Sequence, residues 1–164
     1  MANSNSVIRE GITAGLLGAV GVAIWFLGVD LIAGQPLYTP SLLGQALLSV
    51  LGHGIQHGVL YNAAAYTVFH IVSFVLVGFV LSEIVDISRR VPQVAVGFVL
   101  FFVVFEVGFY GVAAMISQSD FIGRLAWYQI GAANLLASAL MGGYMWRTHP
   151  ELGPTLEHAL DGSV

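Results

Sequence analysis

Four long apolar runs, at about 11–33, 61–82, 93–116 and 125–146, contain two charged residues between them, Asp30 and Glu106, and the others fall in the connections and the two terminal segments. Each run has about the 20 residues that a helix needs to cross a hydrocarbon core. The pattern predicts an all-α fold: a single integral membrane domain over residues 1–164, built as a four-helix transmembrane bundle. Residues 1–8 read as a short frayed lead-in, and 147–164 as a polar tail. The first run is too long for the apolar part of a secretory signal and no small-x-small cleavage site closes it, so it is read as a retained helix.

Within the first span, Ala14, Gly18, Gly21, Trp25 and Gly28 recur at spacings of four and three, which places them on one helix face. Such a small-residue stripe lets a neighbouring backbone approach closely and is expected to be a packing seam. The connection 34–60 is too long for a turn and carries a helix start, with Thr39 as N-cap and Pro40 in the first helical position. A short helix is predicted over about 40–51, with Leu42, Leu43, Ala46, Leu47 and Val50 on an apolar face and Ser41, Gln45 and Ser49 on a polar one. That division favours a helix lying in the outer membrane interface, with a re-entrant segment as the alternative.

Composition agrees with a membrane protein: 57% of residues are hydrophobic and 9% charged. The chain has no cysteine, which excludes disulfides, thiolate metal sites and thiol nucleophiles. All five basic residues are arginines, and they are dispersed, so neither a nucleic-acid footprint nor a polybasic lipid patch is present. Arg9, Arg89, Arg90 and Arg147 fall on one side of the four-span arrangement and Arg124 on the other. By the positive-inside rule both termini are then cytoplasmic, in a bacterial inner membrane. Trp25, Trp127 and Trp146 sit within or near the membrane as interface anchors or packing residues.

Candidate chemistry is confined to a few polar groups inside the spans. His70, Glu106 and Asn134 come within about one helical turn of a common depth on three different helices. Asn62, Tyr66, His70 and Ser73 form a polar stripe along the second span; Tyr110 follows Glu106 by one turn, and Asn134 shares a side with Ser138. Ionisable groups at membrane depth turn inward and pair, so Tyr66, His70, Ser73, Glu106, Tyr110 and Asn134 define an expected intramembrane polar cluster. Two roles are open to it: interhelical hydrogen bonding, or a site for a haem, a chlorin magnesium, a quinone head group or a proton. The first is preferred, because a haem between helices wants a second axial histidine at similar depth and no other span supplies one. In the outer connection, His53 and His57 have the spacing of a helical metal pair, but glycines at 52, 54 and 58 oppose a helix and no nearby cysteine completes a site; Asp30 and Asp120 are third ligands only if the loops converge. No metal is therefore assigned. Asp30 itself reads as an end-of-helix residue at the polar boundary, and its alternative is a contact to a partner.

The phrases "AGLLGAV", "WFLGVDLIAGQPLYTPSLLG", "FHIVSF", "FVVFEVGFYG" and "GGYMWRTHP" touch all four spans. With them the chain resembles an uncharacterised family of small four-span bacterial integral membrane proteins. The resemblance implies a fold and carries no catalytic residue. No nucleophile elbow, phosphate loop or paired-carboxylate motif is found, so the expected role is non-catalytic. Short connections and aromatic, glycine-rich helices suit an accessory or structural subunit that packs beside other integral membrane subunits of a larger energy-transducing complex, photosynthetic or respiratory. The alternatives are a cofactor-binding module centred on His70 and Glu106, and a small oligomeric transporter with Glu106 as its proton carrier.

Overall fold

A computed structural model describes residues 4–52, 58–88, 91, 94 and 127–154. These residues are all-helical and include no strand. In chain order the helices are α1 (Ser4–Ile32), α2 (Tyr38–Val50), α3 (Val59–Ser88) and α4 (Trp127–Thr148). Two of them are long and apolar enough to cross a membrane: Ser6–Ile32 within α1, and α3. The predicted third span lies outside the described residues apart from Val94.

Both long helices outrun their apolar cores. α1 begins at Ser4, so the polar lead-in continues the helix, and α3 extends to Ser88. At 1.5 Å per residue, 29 and 30 residues reach well past a hydrocarbon layer about 30 Å thick.

α1 is the central element. It packs along α3 on one side and α4 on the other, while α3 and α4 scarcely touch each other. Two apolar clusters lie along it. One joins Val22 and Phe26 of α1 to Leu42 of α2 and to Ile130, Ala133 and Ala137 of α4. The other joins Ala14 to Leu81 and Val85 of α3, Met141 and Met145 of α4, and Leu152 of the segment that follows.

The α1–α3 contact depends on glycines from both helices. A Cβ on Gly78 would collide with the Gly11 carbonyl oxygen and lie 2.7 Å from the Gly15 nitrogen. On Gly15 it would meet the Phe74 carbonyl and come within 2.6 Å of the Val75 Cα. Here the two backbones are in direct contact, a separation that any larger residue prevents. Of the predicted seam, Ala14 is completely buried, Gly18 faces Met141 and Phe74, and Gly21 faces Leu140. Trp25 is partly exposed and its indole N–H donates to the Gln129 carbonyl of α4 at 3.1 Å. No atom of the described residues lies within 4 Å of a Cβ added at Gly28. The seam of α1 thus serves two partners, and its tightest part, Gly11 and Gly15, lies one face-step from the stripe read in the sequence.

α2 packs mainly on α3 and reaches the α1–α4 cluster at one end. Residues 39–49 are all buried or half-buried. Thr39, Leu42 and Ala46 lie on one face and Gly44 and Leu48 on nearly the opposite one, at 100° per residue. Leu42 enters the α1–α4 cluster, whereas Gly44 sits against the Asn62 backbone of α3. Ser41, Gln45 and Ser49, the polar face read in the sequence, are half-buried.

Its start also differs from the expected one. The residue preceding the helix is Leu37, held in the left-handed region at φ 66, and no side chain of its own caps the first turn. Thr39 lies inside the helix, and the cap comes from α1: the Asp30 carboxylate accepts the Thr39 backbone N–H at 2.8 Å and the Thr39 hydroxyl at 2.7 Å.

Candidate functional site

The polar stripe of α3 faces inward. Asn62 and His70 are buried and Tyr66 and Ser73 half-buried, whereas Val68, Phe69, Val72 and Leu76 on the other faces are more than half exposed. His70 is turned toward α1. Its Nε2 lies 3.2 Å from the Ala19 carbonyl oxygen and its Nδ1 lies 3.4 Å from the Tyr66 hydroxyl. A carbonyl can only accept, so Nε2 carries the proton and donates to it, leaving Nδ1 to accept a long bond from Tyr66. The ring is further enclosed by Tyr66 and Phe74, at centroid distances of 5.3 and 4.7 Å.

This geometry constrains coordination chemistry. An axial ligand or metal-binding imidazole must present a bare nitrogen. Nε2 is protonated against Ala19 and Nδ1 faces the Tyr66 hydroxyl, so a metal would have to displace one of them. No group of three His, Asp, Glu or Cys that could hold a metal is found among the described residues.

Of the remaining predicted members, Asn134 is on α4 and half-buried; its amide nitrogen is buried and has no hydrogen-bond partner among the described residues. The Ser138 hydroxyl donates to the Asn134 backbone carbonyl at 2.7 Å. Glu106 and Tyr110 lie outside the described residues, as do His53 and His57. The described part of the cluster joins α3 to α1 through His70.

Two polar arrangements escape a reading by sequence. The first is the Asp30–Thr39 pair, whose carboxylate is 3% exposed and turned back into the fold. The second gathers at the other end of the bundle. His149, just beyond α4 and 6% exposed, places Nε2 2.8 Å from a Glu10 carboxylate oxygen of α1 and Nδ1 3.3 Å from Glu151. Both ring nitrogens therefore face carboxylate oxygens. The available signal was a histidine and two glutamates at the polar margins of the first and last runs, but nothing in their spacing joins residues 10 and 149.

No protein-family model, curated protein or solved structure matches the chain.

Proposed function

We propose that this protein is a multi-pass membrane protein with a four-span bundle and cytoplasmic termini in a bacterial inner membrane, serving as a non-catalytic accessory or structural subunit. Its place is beside other integral membrane subunits of a larger complex, with a photosynthetic or respiratory energy-transducing assembly as the favoured class. One observation carries this reading: the His70 and Asp30 side chains are spent on bonds between the chain's own helices, while broad apolar faces of α1 and α3 point outward. His70 engages Ala19, and Asp30 engages Thr39. Ile24 and Leu31 on α1, and Val68, Val72 and Leu76 on α3, are each more than half exposed. In a bilayer such faces suit lipid or neighbouring helices equally, and close lateral packing uses the same aromatic and small residues found here.

Purification from native membranes in mild detergent tests the proposal. A stoichiometric membrane assembly containing the chain is the expected product. Recovery solely as a free monomer, at every detergent mild enough to keep neighbouring complexes intact, overturns it.

The cofactor reading of His70 and Glu106 is weaker because His70 already donates to Ala19. A haem or chlorin absorption band in the purified chain that vanishes in His70→Ala would replace the accessory reading with a cofactor module.

A further inference from the structure

His149 stands where α4 gives way to the segment that follows it. Its backbone N–H still donates to the Met145 carbonyl at 2.9 Å, and its own carbonyl accepts the Leu152 N–H at 3.0 Å. Leu152 is buried in the cluster that holds Ala14 of α1 and Leu81 and Val85 of α3, and Gly153 lies beside the Trp146 indole. The segment is thus folded back over the end of the bundle where α1 begins and α3 ends.

The imidazole of His149 is 6% exposed, and both of its nitrogens meet carboxylate oxygens: Nε2 that of Glu10 at 2.8 Å, Nδ1 that of Glu151 at 3.3 Å. An ionised carboxylate can only accept, and a neutral imidazole has a single N–H, its other nitrogen offering a lone pair. Making both contacts at once therefore takes two protons on the group of three. Either both sit on the imidazole, or one sits there and one on a carboxyl. With one proton fewer, a lone pair is set against an acceptor in a site largely closed to water, where an unmade bond is costly.

The two contacts do different work. Glu151 is two residues away in the same segment, whereas Glu10 belongs to α1 and lies 139 residues away in the chain. The Glu10 bond is the shorter one and its side chain the better buried, so it carries the attachment. Other charged groups toward this end are Asp86 of α3, which lines the same small cavity as Glu10 and His149, and the exposed Glu83, Arg9 and Arg147. They set the charge around the group without changing how many protons its two contacts require.

We propose that His149, Glu10 and Glu151 form a proton-operated latch, which holds the segment after α4 on α1 while the group keeps two protons and loosens when it loses one. The bonds that use the second proton exist in the docked segment alone, so the proton stabilises docking and its loss on raising the pH favours release. Leu152 supplies the apolar part of the attachment at every pH. The change is consequently a local loosening of the segment, with the bundle intact.

Hydrogen exchange of the whole protein in detergent tests this, with protection of the amides around Leu152 expressed relative to a free peptide of the same sequence at each pH. From about pH 6 to about pH 9, a span that covers the charge change of a histidine, protection of the segment should fall by about five- to tenfold. Amides in the middle of α1 should keep theirs. In His149→Gln the side chain does not titrate, and the segment's protection should become independent of pH. Glu10→Gln offers both a donor and an acceptor to Nε2, so its pH response should shrink to less than about half of the parent's, whether or not His149→Gln folds. Protection in the parent that is flat or rises with pH overturns the proposal. A pH response of parental size in either variant overturns it as well.

Discussion

The carboxylate of Asp30 at the end of α1 accepts both the backbone N–H and the hydroxyl of Thr39, at 2.8 and 2.7 Å, so one helix caps the next. The turn between them requires left-handed backbone at Gly34 and Leu37, with φ 71 and 66. Asp30→Ala would leave the buried Thr39 N–H and hydroxyl without their acceptor. The expected cost is about 1–3 kcal/mol, measured as a fall in unfolding free energy in detergent. Asp30→Asn keeps one acceptor oxygen and should recover part of it. An Asp30→Ala protein as stable as the parent would show that this cap contributes nothing.

Replacement at the glycine contact should be highly position-dependent. Gly78→Ala and Gly15→Ala force backbone apart where α1 meets α3, with an expected destabilisation of about 1–3 kcal/mol or more. Gly28→Ala and Gly142→Ala add a methyl group where no described residue lies within 4 Å and should be neutral or stabilising by up to about 1 kcal/mol. Thermal midpoints of the four variants provide the comparison; equal effects at all four positions would refute the register of the two helices.

For His70, interhelical bonding predicts a structural phenotype. His70→Ala leaves the Ala19 carbonyl without its cross-helix donor and opens space beside Tyr66 and Phe74. Stability should fall by about 1–3 kcal/mol with no change in visible absorption. Tyr66→Phe, which removes only the long bond at 3.4 Å, should cost less than about 1 kcal/mol.

The His149–Glu10 contact ties the segment after α4 to the first turns of α1. A double-mutant cycle with His149→Ala and Glu10→Ala should return a coupling energy of about 0.5–1.5 kcal/mol. Additive losses would mean that the two side chains are neighbours without an energetic link. Proteolysis after residue 148 should accelerate in either single variant, because the segment is held down by this contact and by Leu152.

Length and apolar continuity made the two helices that are long and apolar enough to cross a membrane legible, because a helix that satisfies its own backbone needs no information from elsewhere in the chain. The inward face of α3 was legible for the same reason: Asn62, Tyr66, His70 and Ser73 recur at helical spacing, and a polar stripe on such a helix has few places to go. Small residues along α1 announced close packing, but not which of them would meet backbone. Gly11 and Gly15 do so because Gly78 of α3 arrives opposite them, and that register is a property of two helices together.

Amphipathicity did not say what α2 packs against, since a half-polar helix looks alike whether its serines and glutamine meet water or lie half-buried between helices. The N-cap was likewise assigned to Thr39, the nearest suitable side chain, when the acceptor came from nine residues earlier. The sequence by itself determined the helical state, the membrane-length segments and the polar face of α3, all of which follow from local periodicity and the cost of exposing backbone to lipid. Only the tertiary structure decided that α2 packs against α3 and the α1–α4 cluster, that Asp30 caps it, and that His149 reaches Glu10. Those features depend on how far antiparallel helices slide past one another, and that distance is set by the glycine contact between them.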